Sequence, residues 1–259
     1  MNSPKILRLS GDKSISHRAL MLASISYGDN RITNLCNGAD VQSTIDCLTA
    51  CGASINKNGN SCNITSGILS NPTAPLNCGN SGTTMRLLAG LIAGQKISAV
   101  LYGDSSLSKR PMDRIIKPLK KIGADIKYID NKIIINKSEL IGGEILNSTS
   151  SAQVKSSIIL AALNANATTN LTETYQTRDH TEKMISYHSS KSIMLEDNRI
   201  TIKPSKLHIE NIEIPGDLSK ASFLIAYACL KPGSDIIFEN ILINPRRIGF
   251  IKTLNKMGA

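Results

Sequence analysis

The sequence predicts an α/β repeat protein, and three features carry that prediction. A phrase of the form Leu-x-x-x-Gly-Ala-x-Ile starts at Leu48 and again at Leu119, each copy running through a polar turn into a further strand as far as Ile64 and Ile135. Gly123 lies 71 residues after Gly52, and a third Gly-Ala, Gly258-Ala259, follows 135 residues after Gly123, close to two such intervals. Short alternating stretches such as Ile97–Tyr102 precede the helical segments and supply more strands. The period of roughly 68 residues exceeds the usual solenoid range, so each repeat should be a substantial supersecondary block.

The elements follow in chain order. The first helix has apolar positions Ile15, Ala19, Leu22 and Ala23 as one stripe, with Ser14 as its expected cap. The helices before Gly52 and Gly123 should end in glycine in the left-handed conformation, each followed by a hairpin whose turn holds Asn, Gly or Asp. The segment Cys78–Arg86 opens the apolar run Leu87–Ala93, Pro111 suits the first position of the next helix, and Ser148–Ser156 turns into the helix containing Ile158–Leu163. Asp179 and Glu182 are spaced as a capping box. Residues Ile185–Ile202 form a degenerate unit, with Ser189-Ser190 near the expected Gly-Ala. The chain stops at Ala259, where the next hairpin ought to begin, so the sequence is expected to be a fragment.

Composition narrows the function. With 259 residues, 41% hydrophobic and 19% charged, the chain can hold a large core or two domains. Its longest apolar runs, such as Ile158–Leu163, are too short to span a bilayer, and Met1–Ser10 lacks a signal-peptide pattern, so a cytoplasmic protein is expected. Cys36, Cys47, Cys51, Cys62, Cys78 and Cys229 form no Cys-x-x-Cys pair and are expected as buried or half-buried reduced thiols; His17, His180, His188 and His208 give no metal-ligand spacing. The formal charge of +10 invites nucleic acid, but three Phe and no Trp argue against a stacking surface. A cationic cleft for a small anion explains the same surplus.

Five helix starts suit such an anion, because free N–H groups and the helix dipole favour negative ligands there. Gly11–Arg18 carries Lys13, Ser14 and Arg18; Cys78–Arg86 carries Asn80 and Gly82 among hydroxyls; Leu107–Met112 presents the forked guanidinium of Arg110. Ser148–Ser156 offers Ser151, Ala152 and Gln153, suited to a polyhydroxylated ligand, and Arg178 stands ahead of the helix near Asp179. Plain capping explains the serines equally well at this level. The second cluster lacks the Gly-Lys-Ser/Thr ending of a P-loop.

Taken together, GDKSISHRALMLA, GNSGTTMRLLAG, SKRPM, SSAQVKS, TRDHTEKM and PGDLSKASF resemble the EPSP synthase family, the 3-phosphoshikimate 1-carboxyvinyltransferases, in that family's order from Leu9 to Ala259. The resemblance implies the two-domain enolpyruvyl-transferase fold, each domain having three βαβαββ units, about 400 residues in all. It implies a complete second domain over 12–214 and an incomplete first domain formed by 1–11 and 215–259, with crossings at Gly11 and Pro215-Gly216. It further implies transfer of the enolpyruvyl group of phosphoenolpyruvate to the 5-hydroxyl of shikimate 3-phosphate, releasing phosphate. This step of aromatic amino-acid and chorismate biosynthesis runs without metal or redox cofactor, in a monomeric enzyme that binds neither nucleic acid nor membrane.

Carried over residue by residue, Lys13 is catalytic and touches both substrates. Ser14, Arg18, Ser151, Ala152, Gln153 and Arg178 hold shikimate 3-phosphate, while Asn80, Gly82, Arg110 and Gln153 hold phosphoenolpyruvate. Gly82 leaves room for phosphoenolpyruvate-like inhibitors such as glyphosate. The chain departs from the family pattern at Ser10, where a proline is usual, and has no match for the family's Asp general base or its later Lys and Arg ligands. By itself this piece is expected to have no turnover. The related UDP-N-acetylglucosamine enolpyruvyl transferases fit less well, since Ser14, Arg18 and the SKRP segment depart from their pattern. A noncatalytic anion-binding fragment is the alternative of a different class.

Overall fold

The structure is a computed structural model describing residues 4–65 and 68–259. Residues 1–3 of the expected 1–11 segment, and residues 66 and 67 within 12–214, lie outside the described residues. The chain opens with β1 (Lys5–Arg8), α1 (Lys13–Ser24), β2 (Asp29–Thr33), α2 (Ala39–Ala50) and the hairpin of β3 (Ser54–Asn58) and β4 (Ser61–Thr65). A second run has β5 (Leu76–Asn77), α3 (Gly82–Gly94), β6 (Ala99–Tyr102), the single turn α4 (Ser105–Ser108), α5 (Asp113–Lys121) and the hairpin of β7 (Asp125–Ile129) and β8 (Lys132–Asn136). The third has β9 (Gly143–Asn147), α6 (Ala152–Ala162), β10 (Thr169–Glu173), α7 (His180–His188) and the hairpin of β11 (Ile193–Glu196) and β12 (Arg199–Ile202). Then come β13 (Asn211–Glu213), α8 (Leu218–Leu230), β14 (Ile236–Glu239) and α9 (Gly249–Lys256).

The repeat read from the sequence appears as three four-stranded sheets of one plan, ordered β5-β6-β8-β7, β9-β10-β12-β11 and β13-β2-β4-β3. In each, the first two strands are parallel, the second pairs antiparallel with the last of the chain run, and the hairpin closes the edge. The second and third runs are therefore βαβαββ units. The first completes the same plan with β13, borrowed from far along the chain.

Local chemistry explains the punctuation. Gly52, Gly123 and Gly258 have φ of 91°, 104° and 95°, the left-handed conformation that ends a helix at little cost in glycine. Asp130 and Asn131 both have positive φ, which matches the twist of the β7–β8 hairpin. In the degenerate unit Ser189 ends α7 with an extended φ of −154°, and its hydroxyl lies 2.5 Å from that of Ser192.

The leading helices of the three units, α1, α3 and α6, form the centre. Every residue of α1 from Ile15 to Ser24 is buried, so the single apolar stripe expected there is too narrow: α1 packs against α2, α3 and α7 as well as β2 and β4. Between α3 and α6 the backbones nearly touch. A Cβ at Gly90 would lie 2.0 Å from the Ser157 carbonyl oxygen, and one at Gly94 would lie 2.8 Å from that of Ala161.

Three expectations about helix starts are corrected. Asp12, not Ser14, caps α1, its Oδ1 accepting the Ile15 N–H at 2.9 Å. Pro111 precedes α5 by two residues, since the α4 turn delays the helix until Asp113. The Asp179–Glu182 capping box does not form, because Glu182 turns inward to Lys155 and Asp179 accepts from Asn244.

Residues 215–259 are built differently. The main core cluster extends from Ile15 to Ile214, whereas α9 has no buried residue and Phe223, Leu230 and Met257 are 79%, 84% and 76% exposed. Strand β1 pairs with β14, and Gly11 bridges Gly216 where the two passages meet. Five cysteines are buried and unbridged, burial pushing the Cys51 thiol up to about 12, but Cys229 is exposed on α8, contrary to expectation. Among the described residues no helix is long and apolar enough to cross a membrane.

Candidate functional site

The first turns of α1, α3 and α6 hold most of the residues singled out in the sequence, and side-chain bonds tie them together. Each first turn also leaves backbone N–H groups without a protein partner among the described residues, as at Ser14, Gly82 and Ala152. On α6, Ser151 is the cap, its hydroxyl accepting the Val154 N–H at 3.5 Å, and Ala152 is the buried first helical residue. Gln153 then reaches α3: its Oε1 accepts from Arg86 at 2.6 Å and its Nε2 donates to the Thr83 hydroxyl at 2.9 Å. One turn later Ser156 reaches α1, its hydroxyl accepting from Arg18 at 2.7 Å. Helix α6 thus joins two cationic groups.

The first group surrounds Gly82. A Cβ there would lie 2.9 Å from an Arg86 Nη and 3.0 Å from an Arg110 Nη, so two guanidinium groups converge on the start of α3. Arg110 donates to Asn80 Oδ1 at 2.5 Å, and Asn80 Nδ2 donates to Asp104 at 2.7 Å. Asp104 is held below the usual carboxylate range by the Leu107 N–H and by Asn80. Arg86 is buried, its Nε has no partner among the described residues, and its pKa is lowered by burial and by Arg114 and Arg110. Cations crowded at a helix start favour an anion between them.

The second group surrounds Arg18, which is 3% exposed. Its Nε donates to the Thr181 hydroxyl at 2.7 Å and one Nη to the Ser14 carbonyl at 2.9 Å. Burial lowers its pKa to about 10 against the opposing pull of Glu182, so it stays cationic at neutral pH. Ser14 lies beside it, half-buried, and contributes its carbonyl rather than a cap. Arg178 is half-buried, its pKa lowered by burial and then by Arg247. Arg247 in turn donates to Asp12 at 3.0 Å. Lys13 is half-exposed and reaches Asp40 on α2 at 2.8 Å.

His17 and His180 line the inner side of this group. Burial and then Arg18 lower both rings to about 3, so both are neutral at physiological pH. The Asn244 amide donates toward His180 Nδ1 at 3.2 Å, which places the ring proton on Nε2. Beneath Arg18, the fully buried Lys155 pairs with Glu182 at 2.6 Å and Glu173 at 2.8 Å.

Several of these residues were not legible as site residues. Arg86 follows Gly82 by four positions and so shares its helix face, a signal present in GNSGTTMR. Thr181, Ser156 and Lys155 carry no such signal, since hydroxyls and a lone lysine on helices usually read as surface.

Comparison with known proteins gives a uniform result. The family model for EPSP synthase (3-phosphoshikimate 1-carboxyvinyltransferase) matches residues 3–259. Proteins named 3-phosphoshikimate 1-carboxyvinyltransferase from Streptococcus pyogenes serotypes M49 (strain NZ131) and M4 (strain MGAS10750) are each 41% identical over 263 residues, covering 98% of this chain and 61% of theirs. A solved EPSP synthase from Acinetobacter baumannii superposes with a TM-score of 0.91 at 38% identity, over 100% of this chain and 61% of that one. The chain therefore spans 61% of the length of the curated relatives it matches.

Proposed function

The chain belongs to the EPSP synthase family, and on that premise we propose that the protein it represents transfers the enolpyruvyl group of phosphoenolpyruvate to the 5-hydroxyl of shikimate 3-phosphate. The observation that carries the reading is the bridge made by α6, with Gln153 at the Gly82–Arg86–Arg110 group and Ser156 at Arg18. Two anionic substrates need two cationic seats held at a fixed separation, and one rigid helix supplies that separation. In this reading Arg110, Asn80, Gln153 and the backbone at Gly82, where a side chain would meet the two guanidinium groups, receive phosphoenolpyruvate. Arg18, Ser14, Ser151, the Ala152 backbone, Gln153 and Arg178 receive shikimate 3-phosphate.

The reaction adds the substrate hydroxyl to C2 of phosphoenolpyruvate while a proton enters at C3, giving a tetrahedral intermediate. Loss of phosphate and of a C3 proton restores the double bond. Lys13, half-exposed at the start of α1, is the residue in this reading that touches both ligands and steadies the developing charge. Arg86 belongs with the phosphoenolpyruvate group on the same grounds, because its guanidinium faces Gly82. The reading places the protein in the cytoplasm, as a monomer without nucleic-acid partners, in chorismate and aromatic amino-acid biosynthesis.

The domain division belongs to the same proposal. A complete domain over 12–214 is supported by the three similar sheets, and a second domain begun by 1–11 and 215–259 is supported by the β1–β14 pair and the bridge of Gly11 to Gly216. A ligand that binds the folded state stabilises it by about 2.7 kcal/mol at a hundredfold excess over Kd, and so raises the unfolding midpoint. Shikimate 3-phosphate should therefore raise the midpoint of this chain and UDP-N-acetylglucosamine should not; the reverse ranking would refute the proposal.

A further inference from the structure

We propose that Thr181 and Ser156 are positioning residues that aim the Arg18 guanidinium at the ligand, with Lys155 and Glu182 fixing the floor beneath them. The inference rests on the reading of Arg18 as a shikimate 3-phosphate contact. An arginine has five N–H donors. In Arg18 the Nε–H goes to Thr181 and one Nη to Ser156, so a single edge of the fork is fully engaged. The other Nη donates to the Ser14 carbonyl. One hydrogen remains on each Nη, leaving the far edge of the fork to present a pair of donors to a carboxylate or phosphate.

The hydroxyls form a directed chain behind this arrangement. Ser156 donates to the Ala152 carbonyl at 2.7 Å, so its oxygen accepts from both Arg18 and Thr181, which lies 2.7 Å away. Thr181 therefore donates to Ser156 and accepts from Arg18. In this pattern each hydroxyl proton has an acceptor, and the guanidinium cannot rotate without leaving its own buried N–H groups unpaired. The next residue, Glu182, is gripped by Lys155 through Oε1 while its Oε2 is buried without a partner among the described residues. Lys155 also holds Glu173, which accepts from Thr177 at 2.7 Å. The loop carrying Arg178 is thereby tied to the same floor as Arg18, so the two cations are set together.

The test uses the 259-residue chain labelled with 15N, in which the Arg18 Nε–H signal is identified by its loss in Arg18→Lys. Without ligand, this proton should be protected from solvent exchange. Thr181→Val should speed its exchange and weaken shikimate 3-phosphate binding about tenfold, since one charge-assisted bond is lost; Thr181→Ser should restore both to within about threefold. If Thr181→Val does not fold, Ser156→Ala removes the second acceptor and should give the same pair of losses. Wild-type affinity in a folded Thr181→Val or Ser156→Ala chain, or a loss that Thr181→Ser fails to recover, would overturn the inference. Undiminished affinity in Arg18→Lys would overturn the substrate reading and this inference with it, and would be recognised because Nε–H protection in the parent chain would stand.

Discussion

Lys155→Met isolates what the buried charge cluster contributes. Lys155 is fully buried and neutralises two carboxylates that are themselves almost wholly buried, Glu173 at 2.8 Å and Glu182 at 2.6 Å. With Arg18 close enough to Glu182 to oppose its own desolvation, the cluster holds two positive and two negative charges. Methionine keeps most of the volume and removes one positive charge. Glu182 then has no side-chain partner, and Glu173 keeps that from Thr177. Breaking a buried pair by deleting one partner costs about 3–5 kcal/mol, a fall in unfolding midpoint on the order of 10 °C for a chain of this size.

The deficit should depend on pH with a definite sign. Burial already raises the Glu182 pKa above its ordinary value, and losing Lys155 raises it further. A carboxylate whose folded pKa exceeds its unfolded one binds a proton on folding. The variant should therefore be weakest near neutral pH and regain ground on its parent as pH falls toward the ordinary glutamate pKa, about 4.3. Urea titrations of both chains at several pH values measure this. A variant within about 1 kcal/mol of its parent at pH 7, or a deficit that does not change with pH, would show that Lys155 does not neutralise the buried carboxylates.

Gly82→Ala should fold normally, since the backbone there needs no left-handed conformation, yet weaken phosphoenolpyruvate binding about tenfold as its methyl displaces the Arg86 and Arg110 guanidinium groups; calorimetry of the intact protein reads this. His17 and His180, both neutral when folded down to a pKa of about 3, take up protons only when unfolded. Stability should accordingly fall as pH drops below about 6.5, by up to about 1.4 kcal/mol per pH unit for each ring, and a flat profile from pH 6.5 to 4.5 would contradict the burial argument. Asp12→Ala removes the α1 cap and the Arg247 ion pair and should cost at least about 1 kcal/mol in urea unfolding. Leu230→Lys, at a site 84% exposed, should change stability by less than about 0.5 kcal/mol in the same assay.

The repeat and its punctuation were legible because they depend on local chemistry. Gly52 and Gly123 end helices in a conformation open to glycine, and Asp130-Asn131 turn a hairpin, so a self-comparison of the sequence finds both. Helix boundaries set by tertiary contact were not legible. Asp12 displaces Ser14 as a cap because the crossing at Gly11 and Gly216 aims the aspartate at the helix, and Glu182 abandons the capping box for a lysine 27 residues earlier. The candidate site residues on helix starts stand out in the sequence because cations beside free N–H groups are locally unfavourable without an anion. The residues behind them could not: Thr181, Ser156 and Lys155 acquire their roles only when α6 and α7 pack around α1.

Calorimetric titration of this chain with shikimate 3-phosphate, with Lys13→Ala and Arg18→Ala alongside, asks directly whether the helix starts form a substrate seat. Binding should be saturable, weaken as salt rises and be lost in both variants, if the seat is built from the first turns of α1 and α6. Binding that survives loss of Arg18, or none at all in a chain shown to be folded, would contradict the claim that these turns form a substrate site.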